Sequence, residues 1–68
     1  MRIFYYEAGF EPILLADIMT NQSMTIWQAL DIAGVDMDEF AIEQNWTDGW
    51  DPEAVMTEDE LKERLENE

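Results

Sequence analysis

The side chains with most capacity for chemistry fall in one stretch: Asp36, Asp38, Glu39 and Glu43, followed by Trp46, Asp48 and Trp50. Carboxylates at such short spacing can do three things. They can share acid and base roles, hold a hard cation, or present negative charge to a cationic partner. Acid–base catalysis needs a pocket, and 68 residues that spend their apolar side chains on a minimal core leave few to line the roughly 300 to 1,000 Å³ of an ordinary ligand cleft. There is no Cys and no His, and no Gly-rich phosphate loop or nucleophile–base pair is recognisable. An enzyme is not expected, nor a cofactor. A calcium loop is excluded by spacing, because the residues before Gly49 run Gln44, Asn45, Trp46, Thr47, Asp48 and do not alternate as EF-hand ligands do.

Charge presentation remains. The net charge is −14, and it is unevenly spread. Residues 1 to 30 hold three acids (Glu7, Glu11, Asp17) against Arg2, whereas residues 31 to 68 hold fourteen against Lys62 and Arg64. Such a field repels nucleic acid and anionic membrane and attracts cationic protein surfaces. The partner expected on this ground is a basic protein surface, with no direct nucleic acid and no membrane. Acidity of this size also confers solubility without any partner. Trp46 and Trp50 divide the same way: large rings that close a small core, or aromatic anchors inside an acidic rim.

An apolar share of 47%, with three Trp, three Phe, two Tyr and five Met, is too high for a disordered acidic chain. One small folded domain over residues 1 to 68 is expected. The longest uninterrupted apolar run here, Ile13-Leu14-Leu15-Ala16, is far below the roughly 18 residues of a membrane span. With Arg2 followed only by Ile3 to Tyr6 before Glu7, no secretory signal is read, and a cytoplasmic location is the expectation. Asn45-Trp46-Thr47 fits the glycosylation triplet, which has no meaning without export.

The elements that must position these residues are legible from caps and turns. Arg2 to Glu7 is rich in β-branched and aromatic residues and precedes Ala8-Gly9, which reads as strand and turn. Pro12 to Met19 fits a returning strand, and Pro12 also fits the opening of a short helix; the hairpin is preferred. Thr20-Asn21-Gln22-Ser23 reads as a turn. Three helix starts repeat a small polar cap followed three residues later by Glu or Gln: Thr25 with Gln28, Asp36 with Glu39, Thr57 with Glu60. Val35 and Phe40, then Met56 and Leu61, add hydrophobic staples. Gly34 should end the first helix in a left-handed cap, with Val35 folding back on Leu30.

Helices are thus predicted near 25 to 33, 36 to 45 and 57 to 66, with Asp51-Pro52 able to open one extra turn. Ile26, Leu30 and Ala33 form one apolar stripe and Met37, Phe40 and Ala41 another, and both should meet the sheet. The last helix has only Leu61 and Leu65, so residues 58 to 68 are expected to be a lightly anchored acidic C-terminal helix. The fold class is α+β: a short N-terminal β-hairpin packed against two or three short helices.

Leu30, Gly34, Val35 and Phe40 resemble the packing frame of a helix-turn-helix. Its second helix, however, carries Asp36, Asp38, Glu39 and Glu43 where a DNA reader needs Arg, Lys, Asn or Gln, so DNA binding is not carried over. In size and acidity the whole chain resembles the small acidic DNA-mimic proteins of phages and other mobile elements. That likeness implies a phosphate-mimicking inhibitor of a nucleic-acid-binding partner. The alternatives are a structural or regulatory accessory protein whose acidity serves solubility and, below it, a diverged helix-turn-helix protein.

Overall fold

In the computed structural model, which describes residues 1–19 and 23–67, strand β1 (Arg2–Tyr5) is central, flanked by β2 (Ile13–Asp17) and β3 (Val55–Thr57). Both neighbours run antiparallel to it. The turn expected at Thr20-Asn21-Gln22-Ser23 lies mostly outside the described residues. The β1–β2 hairpin turns at Glu7–Phe10, where Gly9 takes φ 91° and the Phe10 amide donates to the Glu7 carbonyl at 3.1 Å. Ile3 faces Ala16 and Phe4 faces Leu14, so Leu15 is the extra residue of a bulge in β2.

Alternation along β1 divides the molecule. Ile3 and Tyr5 point to one face and join Ala16, Ala29, Leu30, Met37, Ala54 and Val55 in the main core. Phe4 and Tyr6 point to the other and meet Met56 and Leu61. Helices α1 (Ile26–Ala33) and α2 (Met37–Glu43) therefore lie on the first face and α3 (Glu58–Glu66) on the second. The domain has three layers, helix pair on sheet on helix, which is the expected α+β class with a strand added. β3 is absent from the sequence expectation. At three residues it is too short to show periodicity, and Thr57 serves at once as its last residue and as the N-cap of α3.

All three predicted caps are formed. Thr25 and Gln28 make the reciprocal capping box, with bonds of 3.2 and 3.0 Å. Asp36 Oδ1 accepts from the amides of Asp38 and Glu39, and Thr57 Oγ1 accepts from the Glu60 amide. A single 3-10 turn, Pro52–Ala54, opens behind an Asp51 cap that accepts from the Glu53 amide at 2.9 Å. α1 reaches the core through Leu30 and, partly buried, Ile26, but Ala29 rather than the expected Ala33 completes its inner face and Ala33 is exposed; α2 reaches it through Met37 and Phe40, whose ring lies 6.2 Å from that of Tyr5.

α3 is held by Leu61, which is buried against Met56 and Tyr6, and by the Arg2–Glu58 bridge of 3.2 Å. Leu65 remains 47% exposed, so the stripe is one residue deep. The Glu58–Lys62 and Glu60–Arg64 pairs form at 3.8 and 3.9 Å, each worth a few tenths of a kcal/mol. Among the described residues, no helix is long and apolar enough to cross a membrane.

α1 and α2 end by the same device. The Val35 amide reaches back to the Leu30 carbonyl at 2.9 Å and the Gly34 amide to that of Asp31 at 3.1 Å, with Gly34 at φ 74°. Trp46 and Asn45 repeat this pairing onto Ala41 and Ile42, both at 3.0 Å, with Asn45 at φ 61°. These are Schellman ends, which tolerate Gly best and Asn next. No neighbour would touch a Cβ at Gly34, so substitution there is limited by backbone strain alone. Gly34→Val should cost about 1 kcal/mol or more and Gly34→Asn markedly less, read as the difference in urea midpoint. Equal midpoints for the two variants would contradict this account of the corner.

Candidate functional site

The second Schellman end has a consequence for function, because it turns Trp46 back over the sheet. Its ring centroid comes within 4.8 Å of that of Tyr5 and 5.4 Å of that of Phe40, the latter edge-on. Trp46 is half-buried on the main core and leaves part of its indole facing outward. The chain then turns at Thr47-Asp48-Gly49, with Gly49 at φ 82° and its amide donating to the Trp46 carbonyl at 3.4 Å.

Opposite this loop stands the β1–β2 turn, and between the two opens a cleft of about 690 Å³. Tyr5, Ile13, Trp46 and Phe10 supply its apolar surface, with Phe10 72% exposed. Glu7, Glu11 and Asp48 are the charged residues of its lining, all acids. The expectation that so short a chain has too few apolar residues to line a cleft is therefore overturned. Tyr5, Ile13 and Trp46 serve the core and the cleft at once, and Phe10 on the hairpin turn adds a ring from outside the core, so lining the cleft needs few further apolar residues.

Tyr5 organises the floor. Its hydroxyl donates to Glu7 Oε1 at 2.6 Å and accepts from the Asp51 amide at 2.9 Å, which ties both sides of the cleft to the central strand. Burial, then the hydrogen bond to Glu7, raise its pKa above the ordinary 10.0. The bond occupies one oxygen of Glu7 and leaves Oε2 to accept from a ligand.

The structure separates the residues singled out in the sequence. Trp46 and Asp48 line the cleft. Trp50 and Asp36 lie at the α1–α2 corner, in a shallow depression with Trp27, Asp31 and Val35. There the Trp50 indole donates from Nε1 to Asp38 Oδ1 at 3.0 Å, and its ring lies 5.8 Å from that of Trp27. Asp36 and Asp38 are thus both engaged within the chain, as cap and as acceptor. Glu39 and Glu43 are exposed on α2. Both Trp46 and Trp50 are half-buried, so each ring packs on the core and retains an outward surface.

Tyr5, Glu7, Phe10 and Glu11 are site residues that the sequence reading passed over. A signal for them existed in Phe10, an aromatic between Gly9 and Glu11-Pro12 with no periodic apolar partner. A large ring in a turn has no core position to fill.

The basic residues occupy the other side of the sheet. Arg2 bridges Asp17 at 3.5 Å and Glu58 at 3.2 Å, and Lys62 and Arg64 lie on α3, each within 4 Å of an acid. Among the described residues, the charged side chains of the α1–α2 unit and of the cleft lining are all acids: Asp31, Asp36, Asp38, Glu39, Glu43 and Asp48 with Glu7 and Glu11. Among the described residues, no three acids converge as a metal site. No protein-family model matches the chain, and neither a curated protein nor a solved structure shows significant similarity to it.

Proposed function

We propose that this protein is a non-enzymatic acidic interaction module that binds a basic protein surface through its α1–α2 side. The observation that carries the reading is the segregation of charge across the sheet. All three basic side chains are neutralised on the α3 side, so the opposite side presents an uninterrupted negative field around an apolar cleft. In its sharper form, that side stands in for a phosphate backbone and occupies the cationic groove of a nucleic-acid-binding protein, as the likeness to small acidic DNA mimics implies.

Glu39 and Glu43 are the cleanest probes, because Asp36 and Asp38 carry intramolecular bonds whose loss would disturb the fold. Reversing Glu39 and Glu43 to Lys should weaken capture of a short arginine- and lysine-rich polypeptide about tenfold or more at about 0.15 M salt. Reversing Glu63 and Glu66 on α3 changes net charge equally and should weaken it far less. Equal losses would reduce the interaction to long-range attraction, and no loss from either pair would leave acidity as a solubility device. The unmodified protein should not retard duplex DNA under the same conditions.

A further inference from the structure

We infer that the cleft between the β1–β2 turn and the Trp46–Gly49 loop takes the guanidinium of an arginine side chain presented by a basic partner, an inference that rests on the proposed binding of a basic surface. The cleft combines two features that match this group. Trp46 and Phe10 offer aromatic surface, one fixed by the Schellman end of α2 and the other held out on the hairpin turn. A planar cation stacks on such rings with little loss of hydration.

Glu7, Glu11 and Asp48 supply carboxylate acceptors, and no basic side chain lines the cleft to compete for them. Arginine carries five N–H donors in a rigid fork, which can engage a carboxylate while the plane stays stacked. A quaternary ammonium would satisfy the rings and leave the carboxylates without hydrogen bonds. A lysine ammonium would satisfy one carboxylate and stack poorly. Phe10 at 72% exposure is otherwise an apolar ring in water, and the stacked cation gives it a partner.

The test is titration of the whole chain with acetyl-Gly-Arg-Gly-amide, followed by NMR of the three indole N–H groups. The Trp46 indole and the backbone amides of Phe10 and Asp48 should shift and saturate with millimolar affinity, while the Trp27 and Trp50 indoles stay in place. The lysine and trimethyllysine analogues should bind at least about threefold more weakly, and the neutral citrulline analogue should not saturate. Phe10→Ala removes an exposed ring and should keep the spectrum of the folded chain while lowering affinity about fivefold. Equal or tighter binding of any analogue, shifts centred on Trp27 and Trp50, or unchanged affinity in Phe10→Ala would overturn the inference. If the arginine peptide leaves Trp46 unmoved while the polypeptide is still lost on reversal of Glu39 and Glu43, the arginine site fails and the basic-surface reading stands. If neither ligand binds, both fail.

Discussion

Met56→Ala is expected to lower the stability of the fold by about 2 to 4 kcal/mol, most of what a domain of this size possesses. Met56 is fully buried, and it lies between the sheet and α3 with Phe4, Tyr6 and Leu61 as neighbours. Truncation at this position removes three heavy atoms from a cluster whose buried members are Tyr6, Met56 and Leu61, so little side-chain volume is available to collapse into the gap. Leu65→Ala, one turn beyond Leu61 on α3, removes an equally large side chain from a half-exposed site and should cost under about 1 kcal/mol. Urea unfolding followed by tryptophan fluorescence compares the two. Similar midpoints would show that α3 contributes little to the fold and that Met56 has no packing partner in it.

The second large effect belongs to Tyr5. Tyr5→Phe keeps the ring against Trp46 and Phe40 but leaves the Asp51 amide and Glu7 without their hydroxyl partner, at a cost of about 2 kcal/mol. Its pH dependence follows from the raised pKa. The folded chain holds the phenol proton more tightly than the unfolded chain, so the contribution is fully present below pH 10 and is lost as pH rises through the folded value. The native protein should therefore lose stability above about pH 10 along a limb that is shallower in Tyr5→Phe. Parallel curves would place the alkaline transition on another group.

How much of this was legible depended on whether a feature is local. The caps at Thr25, Asp36 and Thr57, the left-handed end at Gly34 and the clustering of Met56 with Leu61 are each set by residues within six positions of one another, and all are formed; Val35 and Phe40 both pack against the main core. β3 was not legible because a three-residue strand has no period of its own. It exists because Phe4 and Tyr5 lie opposite Met56 and Val55, a relation between distant segments. The cleft was invisible for the same reason: Trp46 and Asp48 were recognised as chemically capable, but Glu7, Phe10 and Glu11 become their neighbours only when the hairpin turn meets the loop after α2. Asn45 is an intermediate case. Its residue type allowed a left-handed end, and the bond from Trp46 to Ala41 shows that it forms one.

The place of β1 at the centre of the sheet bears on how the chain is made. β1 is translated about fifty residues before its second neighbour, so a nascent chain on the ribosome carries the strand with one edge unpaired and Phe4 and Tyr6 uncovered until β3 is made. The hairpin can close early, but the pairing of Ile3 with Thr57 and the seating of Leu61 wait for residues 55 to 61 to emerge. The sheet is therefore complete only once β3 is available, and a chain interrupted before Val55 would display a bare strand edge beside aromatic side chains, the kind of surface that chaperones and proteases recognise.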